Sequence, residues 1–428
     1  MRVKLAVLFV LLLGCDDGVA TIDTDLGSET ATDSETETAT DSETETEPPR
    51  TDEQIVRELI AGAGDLDLVM HEVAWSGGWP VKTDADTWIF VRRQVSDEAA
   101  FVAGDFDDWA LVEMTRTSGF AYAEVAVSTP VGSKYKFVVD GTEYQADPTA
   151  RSYWYDQFGE VSYIQAPSDA ARLDRWPDLT AEGLPARDVR VLVPAGEGPW
   201  PVMYAHDGQN LFDPGAFFGG WHLQDTVSDL LIVGIDNTPD RMSEYTHVDD
   251  SIDGTLITSL GDRHADLLHK VVRPHVETIY GTTGINGVMG SSLGGLQALN
   301  TALRHDGYDF VASLSGTLGW GRFERSNVTM RERWLGVSTR STVIYVDSGG
   351  SDGGDGCVDV DEDGAFEDDP NDSDNYCVTR KFADAMAGHG YVWDETLYHW
   401  HEPKAPHNES AWAARASRPL DIFLRLSD

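Results

Sequence analysis

Gly290-Ser291-Ser292-Leu293-Gly294 sets a serine among small residues in a G-x-S-x-G pattern. Serine is a poor nucleophile at neutral pH, so it does chemistry only with a base in hydrogen-bond reach and an acid that orients the base. The apolar run ending at Val288-Met289, and Leu293, Leu296, Leu299 and Leu303 at helical spacing afterwards, describe a strand, a tight turn and a helix. That is the context of a nucleophile elbow, in which the turn strains the serine backbone and the glycines remove side chains that would clash. Ser292 then projects its hydroxyl from the end of a sheet. A glycine-bearing turn that only packs a helix on a strand carries the same letters.

A base and an acid are both available, in the chain order Ser, Asp, His that α/β-hydrolases use. His407 lies in a polar loop, Ala405-Pro406-His407-Asn408-Glu409, where Asn408 is placed to cap the last helix. His399 and His401, close to the strand expected over Glu395 to Tyr398, are its competitors. For the acid, the strand Val343 to Val346 runs into Asp347-Ser348-Gly349-Gly350-Ser351-Asp352; Asp352 is the first choice and Asp347 the second, and each also reads as an Asx-turn residue. An oxyanion hole needs two backbone N–H groups. One comes from Leu293, after the nucleophile, and the other from Gln209 or Gly208 in the loop His206-Asp207-Gly208-Gln209-Asn210-Leu211-Phe212.

The elements that hold these residues begin at Arg187. Strands are expected over Val189 to Val193, Val202 to Ala205, Leu230 to Ile235, Val288 to Met289, Phe310 to Leu314, Val343 to Val346 and Glu395 to Tyr398. Helical patterns lie over Ala265 to Ile279, Leu293 to Arg304 and Val378 to Ala387. The alternation implies a mainly parallel sheet with helices on both faces over 187–428. Ahead of it, 51–68 reads as a lead-in, 69–166 as an all-β sandwich of short strands, and 167–186, with Pro167, Pro177, Gly183 and Pro185, as a linker.

Four separated blocks carry a family resemblance: Tyr204 to Phe212, Gly234-Ile235-Asp236-Asn237 with Arg241 and Glu244-Tyr245, Gly290 to Gly295, and His407-Asn408-Glu409 with Trp412. Together they resemble the putative-esterase (esterase D-like) branch of the α/β-hydrolases, which includes enterochelin, feruloyl and acetyl-xylan esterases and mycolyltransferases. The resemblance implies serine-dependent cleavage of an ester through an acyl-enzyme. It also offers Arg241 and Tyr245 as pocket residues, although a salt bridge from Arg241 to Glu244 fits as well; Trp221 is a candidate pocket wall. In the β module, Phe101 to Trp109, Tyr135 to Gly141 and Asp147-Pro148 resemble early-set immunoglobulin-like and family 48 carbohydrate-binding modules. That likeness places Trp109 and Lys136 as glycan-binding candidates, with Tyr144 where a second stacking tryptophan is missing; Trp109 reads equally as a packing residue.

The chain opens MRVKLAVLFVLLLGC, a basic start and an apolar run too short to span a bilayer, ending in a stretch that resembles a lipobox. Residues 1–15 are thus expected to be a lipoprotein signal whose Cys15 is lipidated, leaving an exported protein anchored to a membrane in the periplasm or at the cell surface. Residues 16–50, with ATDSETET twice in tandem at Ala31 to Thr38 and Ala39 to Thr46, cannot bury enough apolar surface to order, and read as a disordered acidic tether. The formal net charge is −43, from 74 acidic against 31 basic residues, which excludes nucleic acid as a partner and favours a neutral or cationic small-molecule or polysaccharide ester.

Within 357–377, Asp359, Asp361, Asp363 and Gly364 reproduce the start of a calcium loop; Pro370 stands at the twelfth place, so Glu367, Asp368, Asp369 or Asp372 has to complete the shell of a structural calcium ion. A solvated acidic insertion is the alternative. In an exported chain the two remaining cysteines, Cys357 and Cys377, are expected to form a disulfide around this loop. No cofactor is expected for catalysis. The expectation is a surface-anchored serine ester hydrolase acting on carbohydrate-linked or siderophore-type esters, with an acyltransferase on the same triad, or a non-catalytic glycan-binding lipoprotein, as alternatives.

Overall fold

Strands buried on both faces read as continuous apolar runs, because neither set of alternate side chains meets water. Val202, Tyr204, Val233, Val288, Val311, Ile344 and Val346 bury on one face, under the helix bearing Leu296 and Leu299. Met203, Ala205, Ile232, Met289, Phe310, Ala312 and Tyr345 bury on the other, against Leu420 and Phe423 of the last helix. The computed structural model describes residues 49–427 apart from 84, 86, 95–96, 351–356, 359–366 and 369–372.

Across this part of the sheet the order is Arg172–Ala181, Leu184–Val193, Leu231–Ile235, Trp200–His206, Thr282–Ser291, Phe310–Leu314, Val343–Gly350 and Leu397–His401. The last six pair in parallel, and the first two join antiparallel. The result is an α/β-hydrolase-like fold with a mixed sheet.

The stretch expected to be a linker is instead sheet. Arg172–Ala181 pairs with Leu184–Val193 on one side and, through Leu173↔Tyr153 and Asp174↔Ser152, with Ser152–Asp156 on the other. Pro177, which cannot donate a ladder hydrogen bond, sits in the register shift between Trp176 and Leu179. The same sheet therefore continues into Gly159–Tyr163, Lys134–Val139, Ala100–Gly104 and Val112–Glu113. A separate four-stranded sheet, including Thr87–Arg93 and Phe120–Ala126, covers one end of it. Trp88, Phe90, Ala121 and Ala123 of the small sheet bury with Val102, Tyr135 and Phe137 of the large one. Two helices precede the strands, Asp52–Ile60 in the lead-in and Leu66–Trp75, which runs past it into the start of the stretch expected to be all-β; they pack Val56, Leu59, Met70 and Val73 against Ile89 and Val91. Residues Asp52–Asp428 form one compact unit.

The helix expected over Ala265 to Ile279 is interrupted by a wide π turn at Leu268–Val272 between Gly261–Leu267 and Arg273–Tyr280. Pro274, without an N–H, cannot continue the ordinary ladder there. Among the described residues no helix is long and apolar enough to cross a membrane.

Two polar features lie deep beneath the sheet end. Arg187 and Glu244 are both fully buried and joined by two hydrogen bonds of 2.8 Å, with Thr238 Oγ1 donating to the same carboxylate at 3.1 Å. Glu244 is thus the partner of Arg187 and not of Arg241. Removing one charge leaves the other buried and unpaired, so Glu244→Gln is expected to lower the unfolding free energy by about 3 kcal/mol, read from urea melts.

His206 and His264 are buried with ring centroids 5.1 Å apart and no hydrogen-bond partner on any of their four ring nitrogens. Burial pushes His206 down to about 4 and His264 well below its usual value, and burial likewise holds His247 at about 4. Between pH 6.5 and 4 the unfolded chain takes up protons that the folded chain refuses, so stability falls as pH falls through that window. The urea midpoint is expected to drop steadily there, each such histidine contributing up to about 1.4 kcal/mol per pH unit. A flat midpoint from pH 7 to 4.5 contradicts this.

Candidate active site

Thr282–Ser291 turns sharply into the helix Leu293–Arg304, and Ser292 between them adopts φ 56° and ψ −123°. The backbone is tied on both sides: Ser292 N–H donates to Leu314 O at 2.9 Å, and Ser292 O accepts from Thr317 N–H at 3.1 Å and Leu296 N–H at 3.2 Å. Surroundings that over-determine a residue in this way let a strained conformation persist. The glycines are needed for contact. A Cβ on Gly290 would lie 2.5 Å from the Gly294 carbonyl carbon, and one on Gly295 would lie 2.6 Å from Ser313 Oγ.

His407 Nε2 lies 2.8 Å from Ser292 Oγ, across a sequence separation of 115 residues. Asn408 caps the helix Glu409–Ala413 by accepting from Ala411 N–H at 3.1 Å, which fixes the loop end that carries His407. The imidazole packs edge-on against Trp412, ring centroids 4.9 Å apart. His399 and His401 lie on the strand Leu397–His401, with Tyr376 near both, and their Nε2 atoms have no partner.

The carboxylate that meets His407 Nδ1 is Asp374, which neither sequence candidate anticipated. Asp352 lies outside the described residues. Asp347 is fully buried and bound elsewhere: its oxygens pair with Arg415, accept from Tyr345 Oη at 3.0 Å and take the Ser315 N–H. The reason is topological. After Val343–Gly350 the chain makes an excursion and returns antiparallel, so that Gly349↔Asp374 are paired at the carboxyl end of that strand. Gly349 N–H donates to Asp374 Oδ2 at 2.7 Å, and a side chain at Gly349 would collide with Ala405 O. The base of the excursion is closed by the Cys357–Cys377 disulfide, and Asp368 accepts from the N–H groups of Cys377 and Val378 at the start of the helix Tyr376–Gly388.

Of the expected calcium ligands, Asp359, Asp361 and Asp363 lie outside the described residues. Glu367 lies in the two-residue strand Glu367–Asp368. Among the described residues no group of three or more His, Cys, Asp or Glu is gathered as a metal site.

Leu293 opens its helix, so its N–H has no acceptor within the helix. Gly208 is pressed on the neighbouring strand, where a Cβ would lie 2.6 Å from the Gly234 carbonyl carbon, and Gln209 Oε1 accepts from Asn237 N–H at 3.1 Å. These contacts fix the loop after Trp200–His206 beside the elbow. Asp207, in a left-handed conformation, takes Arg241 in two hydrogen bonds of 2.7 and 2.8 Å and Asn237 Nδ2 at 2.6 Å. Burial opposes the Asp207 charge, but Arg241, with Asn237 and His206, outweighs it and holds the carboxyl below its usual range. Arg241 stays partly exposed, while Tyr245 is fully buried, with its hydroxyl taken up by the Asp207 N–H. Tyr245 is therefore packing beneath the site, not pocket wall. Trp221, 4% exposed, belongs to the core beside Trp412 for the same reason.

On the β module, Trp109 is half-buried with its indole N–H on Asp105 Oδ1 at 2.9 Å, and its ring lies 6.4 Å from that of the exposed Tyr144. Lys136 is buried and its ammonium donates to Phe158 O at 2.9 Å, so its charge is engaged within the protein.

A model of the family described as "Putative esterase" matches residues 185–415. Solved structures similar to this chain include an IroE-like serine hydrolase from Shewanella oneidensis, at 20% identity and TM-score 0.45 over 59% of this chain and 80% of that one. Ferric enterobactin esterase from Salmonella typhimurium is similar at 15% identity and TM-score 0.42 over 81% and 96%. The siderophore hydrolase EstA from Aspergillus nidulans is similar at 16% identity and TM-score 0.46 over 60% and 95%. No curated protein matches the chain. With more than half of its length matched by that family model, the chain belongs to the putative esterase family and is a carboxylic ester hydrolase.

Proposed function

We propose that the protein cleaves a carboxylic ester through an acyl-enzyme formed on Ser292. The observation that carries this is the continuous contact from Ser292 Oγ through the His407 imidazole to the Asp374 carboxylate. His407 Nε2 takes the hydroxyl proton as Oγ attacks the ester carbonyl, and gives it to the departing alkoxide. Water, deprotonated by the same nitrogen, then attacks the acyl-enzyme, and the proton returns to Oγ as the acid leaves. Asp374 holds Nδ1 protonated and balances the imidazolium charge in both steps. The N–H groups of Leu293 and of Gln209 or Gly208 receive the oxyanion.

The substrate in this proposal is an uncharged or cationic ester of the siderophore or carbohydrate-linked kind, supported by the sequence resemblance and by the acidic surface. Arg241, partly exposed beside Asp207, is its candidate polar contact. An early-set sandwich over 69–166 with Trp109 and Tyr144 toward glycan, a structural calcium ion among Asp359, Asp361 and Asp363, and a lipid anchor at Cys15 complete the proposal, each supported by its sequence pattern.

Ser292→Ala is expected to abolish hydrolysis of p-nitrophenyl acetate. Asp374→Asn, which alters the partner of Nδ1 but not the shape of the site, is expected to lower kcat by about 1,000-fold or more with little change in KM. An Asp374→Asn protein within tenfold of the wild type removes Asp374 from the mechanism.

A further inference from the structure

Ser315 follows the strand Phe310–Leu314 and is fully buried, in a left-handed conformation with φ 47°. Its N–H is bonded to Asp347, at 2.9 Å to the carbonyl and 3.1 Å to Oδ1, so its Cα is fixed by the adjacent strand end. Three side chains meet its hydroxyl. Trp412 Nε1–H donates to Oγ at 3.1 Å, and an N–H of Arg415 donates at 2.6 Å. The third is Asp374, whose Oδ2 is within hydrogen-bond distance of Oγ.

Donor and acceptor counting leaves one arrangement. Indole and guanidinium N–H groups donate and never accept, while a hydroxyl has two lone pairs and one proton. Trp412 and Arg415 fill the lone pairs, and the proton goes to Asp374 Oδ2. That oxygen also receives the Gly349 N–H, so Oδ2 is held from two directions and Oδ1 is left toward His407 Nδ1. Arg415, 2% exposed, is itself held by Asp347, with Nε 3.0 Å from Oδ2 and Nη2 donating to Oδ1 at 3.1 Å.

We infer that Ser315, locked by Trp412 and Arg415, is a positioning residue whose hydroxyl fixes the Asp374 carboxylate so that one oxygen always faces His407. The strand-end aspartate, Asp347, serves this arrangement indirectly by anchoring Arg415. This inference rests on the reading of Ser292, His407 and Asp374 as a triad. Among the described residues, the charged and titratable groups facing Asp374 and His407 are Arg415, with Asp347 behind it, and Glu409 at the start of the next helix.

The test uses the full chain, with kcat and KM for p-nitrophenyl acetate measured from pH 5 to 9 for wild type, Ser292→Ala, Ser315→Ala and Ser315→Gly. The glycine variant suits the left-handed backbone and guards against misfolding of the alanine variant. Both Ser315 variants are expected to lose about tenfold in kcat with KM within about twofold, as for a hydrogen bond to a charged group. The acid limb of the profile is expected to move to higher pH, because a carboxylate with one donor fewer holds the imidazolium proton more strongly. A purely structural serine moves neither the limb nor the ratio of kcat to KM. If Ser292→Ala silences the enzyme while both Ser315 variants stay within twofold with an unmoved limb, the positioning role is overturned and the triad stands. If Ser292→Ala retains the wild-type rate, both fall.

Discussion

One guanidinium sits where water hardly reaches it, and two carboxylates meet it: Arg415 lies 3.0 Å from Asp347 and 3.7 Å from Asp374. A buried charge without partners is prohibitive, and even a paired one is a net gain only when its geometry is good and its remaining hydrogen bonds are made. Burial works against the Arg415 charge, but Asp347 and Asp374 together with Tyr345 more than restore it. This requirement fixes three parts of the molecule at once. It holds the end of Val343–Gly350, the loop containing Ser315, and the segment that follows the helix Glu409–Ala413. Asn408 caps that helix, so the position of His407 is set from the same anchor.

Residues whose neighbours in sequence decide their conformation were legible from the sequence. The apolar spacing of Leu293 to Leu303 gives the helix Leu293–Arg304 at its observed bounds, and Phe310–Leu314 is likewise found where its apolar run lies. Ser292 and His407, each next to a helix start with a local signature, come within hydrogen-bond distance. Asp374 had no such signature. It is one carboxylate among many in an acidic stretch, and only its pairing with Gly349 brings it to the strand end. The local hint was the helical pattern over Val378 to Ala387 just after Cys377; the helix itself starts at Tyr376, two residues beyond Asp374.

Residue type alone misled for Tyr245, Trp221 and Lys136. Each carries a group able to bind a ligand, and each is buried with that group or its ring engaged inside the protein. The stretch 167–186 misled differently: prolines and a glycine suggested a connector, but a strand that bulges accommodates Pro177 without losing its neighbours. For Arg241 the sequence offered a pocket role or a salt bridge to Glu244, with nothing local to choose between them. The fold gives Glu244 to Arg187 and leaves Asp207 for Arg241.

That bulged strand has a mechanical consequence. Arg172–Ala181 is hydrogen-bonded to Ser152–Asp156 on one edge and to Leu184–Val193 on the other, and Arg175 adds a clamp by pairing with Glu160 at 2.9 Å while covering the Tyr153 ring. A peptide connector would have given the amino-terminal strands freedom to swing; a shared ladder removes the hinge. The distance from the surface around Trp109 to Ser292 is therefore set by strand register, as along a ruler, and not by the reach of a leash. Whatever is held at one end of the sheet is presented to the other at a fixed span and angle.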